Sequence, residues 1–315
     1  ILLIIMIGVA FFVGIKSTAP SMKHTADLYY KQCNLPDLRI VSTLGLVQDD
    51  IDAIAALPQV EAVQPGYFTD VVAFTGSAEF VFRVHSMPKP LSETEQAEDT
   101  INKVVLKEGR LPLYPGECVI EAPSATLDHA YMVGDYISLD SGTSTPITDT
   151  LASNAFEIVG IVESPFYMSI EKGTSEIGSG SVQFFMYLLQ DDFVNYASEN
   201  PYFIEAAIKF KDSDNYPAYS DEYEEYITDA SAPLENLGLE RSEIRLENIK
   251  KISDECKKYG ITLLYHNHDF EFVKISGIYG LDFIYQAIDA CTLKTEIDTC
   301  WVKYAGEDPA AYVRK

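Results

Sequence analysis

The run "GITLLYHNHDFEF" sets His266, His268 and Asp269 at the end of an apolar stretch, Ile261 to Tyr265. Imidazole and carboxylate groups crowded at the end of a strand are the raw material of a divalent metal site. His266 and His268 stand two residues apart, a spacing that turns both to one face of a strand. Glu296 and Asp298 repeat that relation in "LKTEIDTCWV". A mixed nitrogen and oxygen donor set suits Mn, Zn, Fe or Co, and Mg less exclusively. The plain alternative is that these histidines are hydrogen-bonded structural residues.

Elsewhere the chemistry is sparse. His24, His85 and His129 are scattered, and no Ser-His-Asp or Cys-His arrangement can be assembled from them. "GTSEIGSGS" is glycine-rich but no lysine follows it, so it is not a phosphate-binding P-loop and reads as a mobile loop. The five cysteines include no C-x-x-C pair, which removes zinc-ribbon and thioredoxin readings. A Cys33–Cys118 disulfide is open to a chain outside the cytoplasm, but buried free thiols are the expectation. Asp49 and Asp50 read as a helix cap, with their charge favourably placed at the N-terminal end of the dipole. "KDSDNYPAYSDEYEEYITDA" is acidic but lacks EF-hand spacing, and reads as a solvated helix with Tyr223 and Tyr226 packed inward.

The elements that must position these residues fall into two groups. Between residues 17 and 236, "LPDLRIVSTLGLVQDDIDAIAALPQVEAVQPGYFTDVVAF" reads as strand, helix, strand, with Ile51, Ile54 and Ala55 on one helix face. Leu38–Ser42 and Val60–Gln64 are expected in one sheet, with the helix packed on it. "EFVFRVHSM", "EGRLPLYPGECVIEA", "YMVGDYISLDSGT" and "FEIVGIVESPFYMSI" are further β segments punctuated by Gly and Pro. From residue 237 the pattern changes. "RSEIRLENIKKISDECKKYG" is an amphipathic helix with Ile244, Ile249, Ile252, Cys256 and Tyr259 near one face, and Gly260 suits the position just past its end. The near-continuous apolar run "ITLLYHNH" then resembles a strand of a parallel sheet covered on both faces. A second helix in "YGLDFIYQAIDAC", a second strand in "LKTEIDTCWV" and a helix start in "DPAAYVRK" follow at the spacing of βα units.

Charge divides the chain at the same place. The net charge of −25 excludes nucleic acid as a natural partner, because phosphate would be repelled. Residues 1–236 hold 12 Lys and Arg against 35 Asp and Glu, while residues 237–315 hold 11 against 13. The first fifteen residues, "ILLIIMIGVAFFVGI", are apolar without interruption and end at Lys16. A spanning helix takes about 20 such residues. Residues 1–16 are therefore expected to be a truncated transmembrane helix, with the following domain extracytoplasmic. A signal peptide fits less well, since a basic leading region and a small-residue cleavage site are missing.

The order of the apolar start, "LPDLRIVSTLGLVQDDIDAIAALPQVEAVQP", "EGRLPLYPGECVIE", "GDYISL" and "FEIVGIVESPFYMSIEKGTSEIGSGS" resembles the extracytoplasmic, MacB-like periplasmic core domain of FtsX-family ABC transporter permeases. The resemblance covers residues 1–235. It implies an α+β domain, a separate ABC ATPase subunit, attachment to the cell membrane, and a peptide, lipid or envelope-protein cargo. The missing P-loop agrees with that division of labour. "YGITLLYHNHDFEF", "YGLDFIYQAID" and "TEIDTCWVKYAGEDPAAYVRK" resemble the sugar phosphate isomerase/epimerase family, with its xylose-isomerase-like TIM barrel. That resemblance covers residues 238–315 and is normally cytoplasmic. It implies a divalent metal polarising a sugar carbonyl while acidic groups move a proton. By motif position it makes His266 and Asp298 metal-site candidates, with His268 and Glu271 placed for substrate contact.

A full barrel takes eight βα units and about 250 residues, whereas residues 237–315 supply two strands. The expected architecture is thus an α+β extracytoplasmic domain (17–236) after a truncated transmembrane helix, joined near 234–242 to a partial (β/α) TIM-barrel fragment. The function is expected to lie in the permease domain, coupling ATP-driven motion to export or cell-envelope processes. The alternative is the metal-dependent isomerase. Neither ATP hydrolysis nor sugar isomerisation is expected of this chain alone, and the permease domain is expected to need no cofactor.

Overall fold

The computed structural model describes residues 2–75, 78–122, 131–198, 201–268, 270–272, 274–275 and 278–314; His129 and Asp269 lie outside them. The chain divides into two compact units, Ile1–Ser231 and Ala232–Lys315.

The first unit opens with a helix, α1 (Leu2–Gln32). Among the described residues no helix is long and apolar enough to cross a membrane, so the spanning segment expected over residues 1–16 is not shown. After α1 come β1 (Leu38–Val47), α2 (Gln48–Ala55) and β2 (Val60–Gly66). Asp50 acts inside the helix rather than before it: its Oδ2 accepts from the Val47 backbone N–H at 2.9 Å and satisfies one of the donors a helix start leaves open. Ile51 and Ile54 are buried, and α2 lies against β1 and β2.

Seven strands follow: β3 (Phe68–Thr75), β4 (Ala78–Met87), β5 (Val105–Gly109), β6 (Glu117–Glu121), β7 (Tyr136–Asp140), β8 (Ala155–Glu163) and β9 (Phe184–Leu189). A last strand, β10 (Tyr202–Phe210), returns to the start of the chain and inserts between β1 and β2, antiparallel to both. The seven strands form a mixed sheet in the order β5-β8-β6-β9-β4-β3-β7. One edge of β8 pairs with β6 along its length, while the other pairs with β7 at its start and β5 at its end. The β7–β8 pairing turns the ladder back on itself, so six strands make a closed ring.

Alternation along those strands sends one side chain in two to the interior. Val71, Ala73, Phe82, Val84, Cys118, Ile120, Ile137, Leu139, Phe156, Ile158, Phe184, Met186 and Leu188 belong to a single buried cluster, which Leu46, Tyr67, Phe193, Phe203 and Ala206 extend toward β1 and β10. The intervening residues of β6, β8 and β9, among them Val119, Val159, Phe185 and Tyr187, form a second cluster on the opposite face. Two glycines permit β5 and β8 to meet. A Cβ on Gly109 (φ +74°) would stand 2.3 Å from the Val159 carbonyl oxygen, and one on Gly160 would stand 2.2 Å from that of Arg110. The glycine-rich segment 173–181 is tied down rather than loose. Val182 N–H donates to the Gly173 carbonyl, Ser175 N–H to that of Gly180, and Ile177 is buried against Val72 and Val81. Cys33 and Cys118 are both buried free thiols.

The division between the units falls inside α3 (Asp221–Lys258). In its later part Ile249 and Ser253 are buried whereas Ile252 and Tyr259 are exposed, so the buried face is rotated from the expected one. The helix ends as expected at Gly260, whose φ is +69°, with Ile261 N–H donating to the Cys256 carbonyl. The rest of the unit comprises β11 (Leu264–His266), β12 (Lys274–Ile275), β13 (Ile278–Tyr279), α4 (Gly280–Ala287), β14 (Lys294–Glu296), α5 (Thr299–Tyr304) and α6 (Pro309–Val313). β11 and β14 pair in parallel, and β12 with β13 as a short hairpin. Tyr265, Leu281, Ile288, Leu293 and Val302 centre its core. A TIM barrel is not shown: among the described residues the parallel ladder has two strands of three residues each.

Candidate functional site

Two polar clusters stand out in the first unit because burial makes each expensive unless it is fully paired. The first sits where the chain enters and leaves the unit. Asp37, just before β1, accepts from the Phe210 backbone N–H at 2.8 Å, from Tyr223 Oη at 2.8 Å and from Lys209 Nζ at 3.2 Å. The buried Lys209 also meets Asp214 at 2.8 Å. Tyr223 lies in the first turn and a half of α3, and burial beside Asp37 raises its phenol well above the ordinary range. The end of α1 is fixed close by. The Asp27 carboxylate accepts from Ala218 N–H at 2.7 Å, and the carbonyls of Cys33 and Asn34 accept from Lys103 and Asn102 N–H at 2.8 Å each. Tyr226, which the sequence also turns inward, donates its hydroxyl to the Lys211 carbonyl. One buried node therefore holds the end of α1, the strand β10 and the beginning of α3.

The second cluster joins the two sheets. Glu205 on β10 receives Arg39 Nε from β1 at 2.5 Å, and its other oxygen lies 3.8 Å from His85 Nδ1 on β4. His85 Nε2 shares a 2.6 Å hydrogen bond with Tyr167 Oη. Tyr187 on β9 completes the group by bonding Asn102 at 3.0 Å and Ser164 at 2.8 Å. Alongside, Arg83 grips Asp70 in a two-pronged pair at 2.7 and 2.9 Å, and both Arg39 and Arg83 face the Phe68 ring. Complete burial pushes the His85 imidazole below its usual pKa, and the two arginines add to that. Burial alone would raise Glu205, but His85 and Arg39 outweigh it and hold the carboxyl below its usual range.

In the second unit, His266 ends β11 and Asp298 lies two residues past β14, on paired parallel strands. His266 Nε2 is 3.8 Å from Asp298 Oδ2. The other oxygen of Asp298 caps α5, accepting from Cys300 and Trp301 N–H at 2.7 and 3.3 Å. Asn267, fully buried, fixes that arrangement: its Oδ1 accepts from Asp298 N–H at 2.8 Å and its amide reaches the Asp298 carbonyl at 3.3 Å. His268 lies beyond the end of the strand, yet its ring stays 5.2 Å from that of His266. Glu271 is buried and turned inward, accepting from Tyr265 Oη and from His268 N–H at 2.8 Å each. It is occupied in bracing the loop. Glu296 is exposed at the end of β14.

Sequence reading singled out none of Asp37, Lys209, Arg39 or Glu205, and set His85 aside as isolated. Apart from Asp214, which lies close to Lys209 in the chain, their partners are more than eighty residues away, so no local spacing announces them. Asn267 was equally unmarked, although it sits within the most conspicuous motif of the chain.

The first unit is a mixed-sheet α+β domain whose sheets are joined by a buried ionic cluster. The family model of the MacB-like periplasmic core domain matches residues 1–226, and the chain belongs to that family. It is the periplasmic domain of an ABC-type transporter permease, a class that in general works with an ATPase subunit. Among solved structures, the extracellular domain of the noncanonic ABC-type transporter YknZ from Gram-positive bacteria is similar at 10% identity, covering 60% of this chain and 85% of that one with a TM-score of 0.34. The periplasmic region of MacB from Actinobacillus actinomycetemcomitans is similar at 14% identity, covering 62% and 75% with a TM-score of 0.33. No curated protein matches the chain significantly.

Proposed function

We propose that the first unit carries ATP-driven displacement of its permease outward, to export or to a process in the cell envelope. One observation supports this reading above others: Asp37, in the segment that follows α1, accepts at once from the strand β10 and from the start of α3. A push on either helix reaches β10 through that node, and β10 passes it to the closed sheet through Glu205, Arg39 and His85. The partners on this reading are an ABC ATPase subunit and the membrane, and the cargo a peptide, lipid or envelope protein. The test uses the complete permease with its ATPase in lipid nanodiscs. Nitroxide labels at Thr18 on α1 and Tyr136 on β7 are each paired with a label on the ATPase. Both distances should change on ATP binding, and Asp37→Ala should abolish the change at residue 136 while sparing that at residue 18. Equal movement of both labels in the variant, or no movement at residue 136 in the parent, would refute the coupling.

For the second unit the approach of His266 to Asp298 supports a weak divalent-metal site (Mn, Zn, Mg or Co) with His268 and Glu271 beside it. Zinc-type ligands lie roughly 2.0–2.2 Å from their ion, and two side chains alone hold it feebly. Calorimetry should show weak Zn binding that is lost in His266→Ala; submicromolar affinity would show a complete site, and unchanged binding in the variant would remove the assignment.

A further inference from the structure

A groove of about 1020 Å³ runs between α1 and the sheet of the first unit. Its floor and walls are apolar, built from Met22, Ala26 and Tyr29 of α1 against Ala122, Tyr167 and Phe185. Tyr167 lies flat on Phe185, with ring centroids 4.5 Å apart and planes within 8°, so that wall is firm. The volume sits at the upper end of small-molecule sites, which are apolar with a few placed polar groups. Along α1 the wall runs from Ser21 to Tyr30, about 14 Å at 1.5 Å per residue. That length suits an alkyl chain.

The charged residues at the rim select the head of the molecule. Glu121 is paired with Lys172 at 3.1 Å and Glu163 with Lys107 at 3.0 Å. Lys23 donates only to the Tyr219 backbone carbonyl, at 3.2 Å, and among the described residues no carboxylate lies within ion-pair distance of it. In a unit so acidic, an ammonium without a carboxylate partner at the mouth of an apolar groove is complementary to an anion. We propose that the groove binds a single-chain amphiphile with an anionic head, the chain lying along Ala26 and Tyr167 and the head at Lys23. This site stands apart from the coupling reading, since it uses neither Asp37 nor Glu205.

The test titrates the full chain with 11-(dansylamino)undecanoic acid and displaces the probe with decanoic acid or with its methyl ester. Binding should be saturable at one probe per chain. Ala26→Trp and Ala122→Trp fill the groove from opposite walls, and each should weaken binding at least tenfold. Lys23→Gln should weaken the acid about fivefold and leave the ester unchanged. Tyrosine near-ultraviolet dichroism identifies a variant that fails to fold, in which case the other tryptophan variant decides. Binding that survives the folded tryptophan variants places the probe on the apolar start of α1 and overturns the proposal. So do equal losses of acid and ester in Lys23→Gln, an absence of saturable binding, or a self-associated chain that the tryptophan variants convert to monomer, which would make the groove an interface between copies.

Discussion

Replacing Asp37 by alanine tests the corner node most directly. The substitution removes one partner of the buried Lys209 ammonium and strips acceptors from Phe210 N–H and Tyr223 Oη. Breaking a buried ion pair from one side costs about 3–5 kcal/mol, and a stranded buried donor about 1–3 more. Asp214 remains on Lys209 at 2.8 Å and is more than half exposed, so the lower end of the combined range applies, roughly 4 kcal/mol. Asp37→Asn keeps one acceptor oxygen for the Phe210 N–H but turns an NH2 group toward the Tyr223 hydroxyl and the Lys209 ammonium, so it should cost less than alanine, about 2–3 kcal/mol. Urea unfolding followed by tyrosine dichroism suits the purpose, because the single tryptophan, Trp301, lies in the second unit and reports that unit separately. With a slope near 3 kcal/mol per molar, the alanine variant should shift the first-unit midpoint by about 1.3 M while the tryptophan transition stays in place. A shift below about 0.3 M, or equal shifts for alanine and asparagine, would show that the node is not the fastening described.

Three further outcomes are expected. Glu117 is held down to about 2 by Arg110 and by the backbone N–H groups of Leu113 and Tyr114, against an opposing burial effect. Its depressed pKa stabilises the fold above pH 4.5 and that contribution is lost as pH falls toward 2, so Glu117→Gln should flatten acid unfolding across that window. Asp192 behaves oppositely: burial raises it to about 6 despite hydrogen bonds from Gly116 and Leu189 N–H. Its ionised form burdens the fold above pH 6, stability rises as pH falls from 6 toward 3.8, and Asp192→Asn should gain about 1–2 kcal/mol at pH 7 in thermal melts and erase that rise. Gly160→Ala drives a methyl group to 2.2 Å from the Arg110 carbonyl; the β5–β8 ladder should open, with a loss of several kcal/mol or insoluble expression, whereas Gly116→Ala, with no atom within 4 Å of its Cβ, should cost only the strain of its left-handed backbone.

The sequence was legible where structure is local. The β segments "EFVFRVHSM" and "FEIVGIVES", set off by Gly and Pro, marked β4 and β8, and the capping chemistry of Asp50 and Gly260 marked helix ends. Leu38–Ser42 and Val60–Gln64 do share a sheet with α2 packed on it, but they do not touch: β10 lies between them. That strand and β9 went unread, because "FFMYLL" and "YFIEAAIKF" are nearly continuous apolar runs without the period of two that betrays a half-exposed strand. Both are central, buried from each side, and their burial is what erased the signal. The rotated face of α3 has a related cause. Helical periodicity ranks residues by polarity, and Ser253 is buried because its hydroxyl donates to the Thr292 carbonyl at 2.6 Å, a partner that periodicity cannot supply. In the second unit the positions of His266 and Asp298 followed from strand ends, while the burial of Asn267 and the capping role of Asp298 depended on a loop that strand patterns do not describe.

The closure of β7 onto β8 bears on how this domain can meet other chains. Strands that end a sheet expose unpaired backbone groups and invite another strand to add there. Six of the seven strands in the larger sheet have no such flank to offer, because each is bonded on both sides around the ring. Only β5 ends that sheet, and it carries Lys107 and Glu108 in exposed or half-exposed positions, charges that discourage extension. In the smaller sheet β10 is covered on both flanks, leaving β1 and β2 as the outer strands. Among the described residues of this domain, a partner recognised by strand addition has therefore two places to dock, and both belong to the sheet that carries β10 and its contact with Asp37. Any such partner would be gripped on the three-stranded sheet beside Asp37, and the ring would be left untouched.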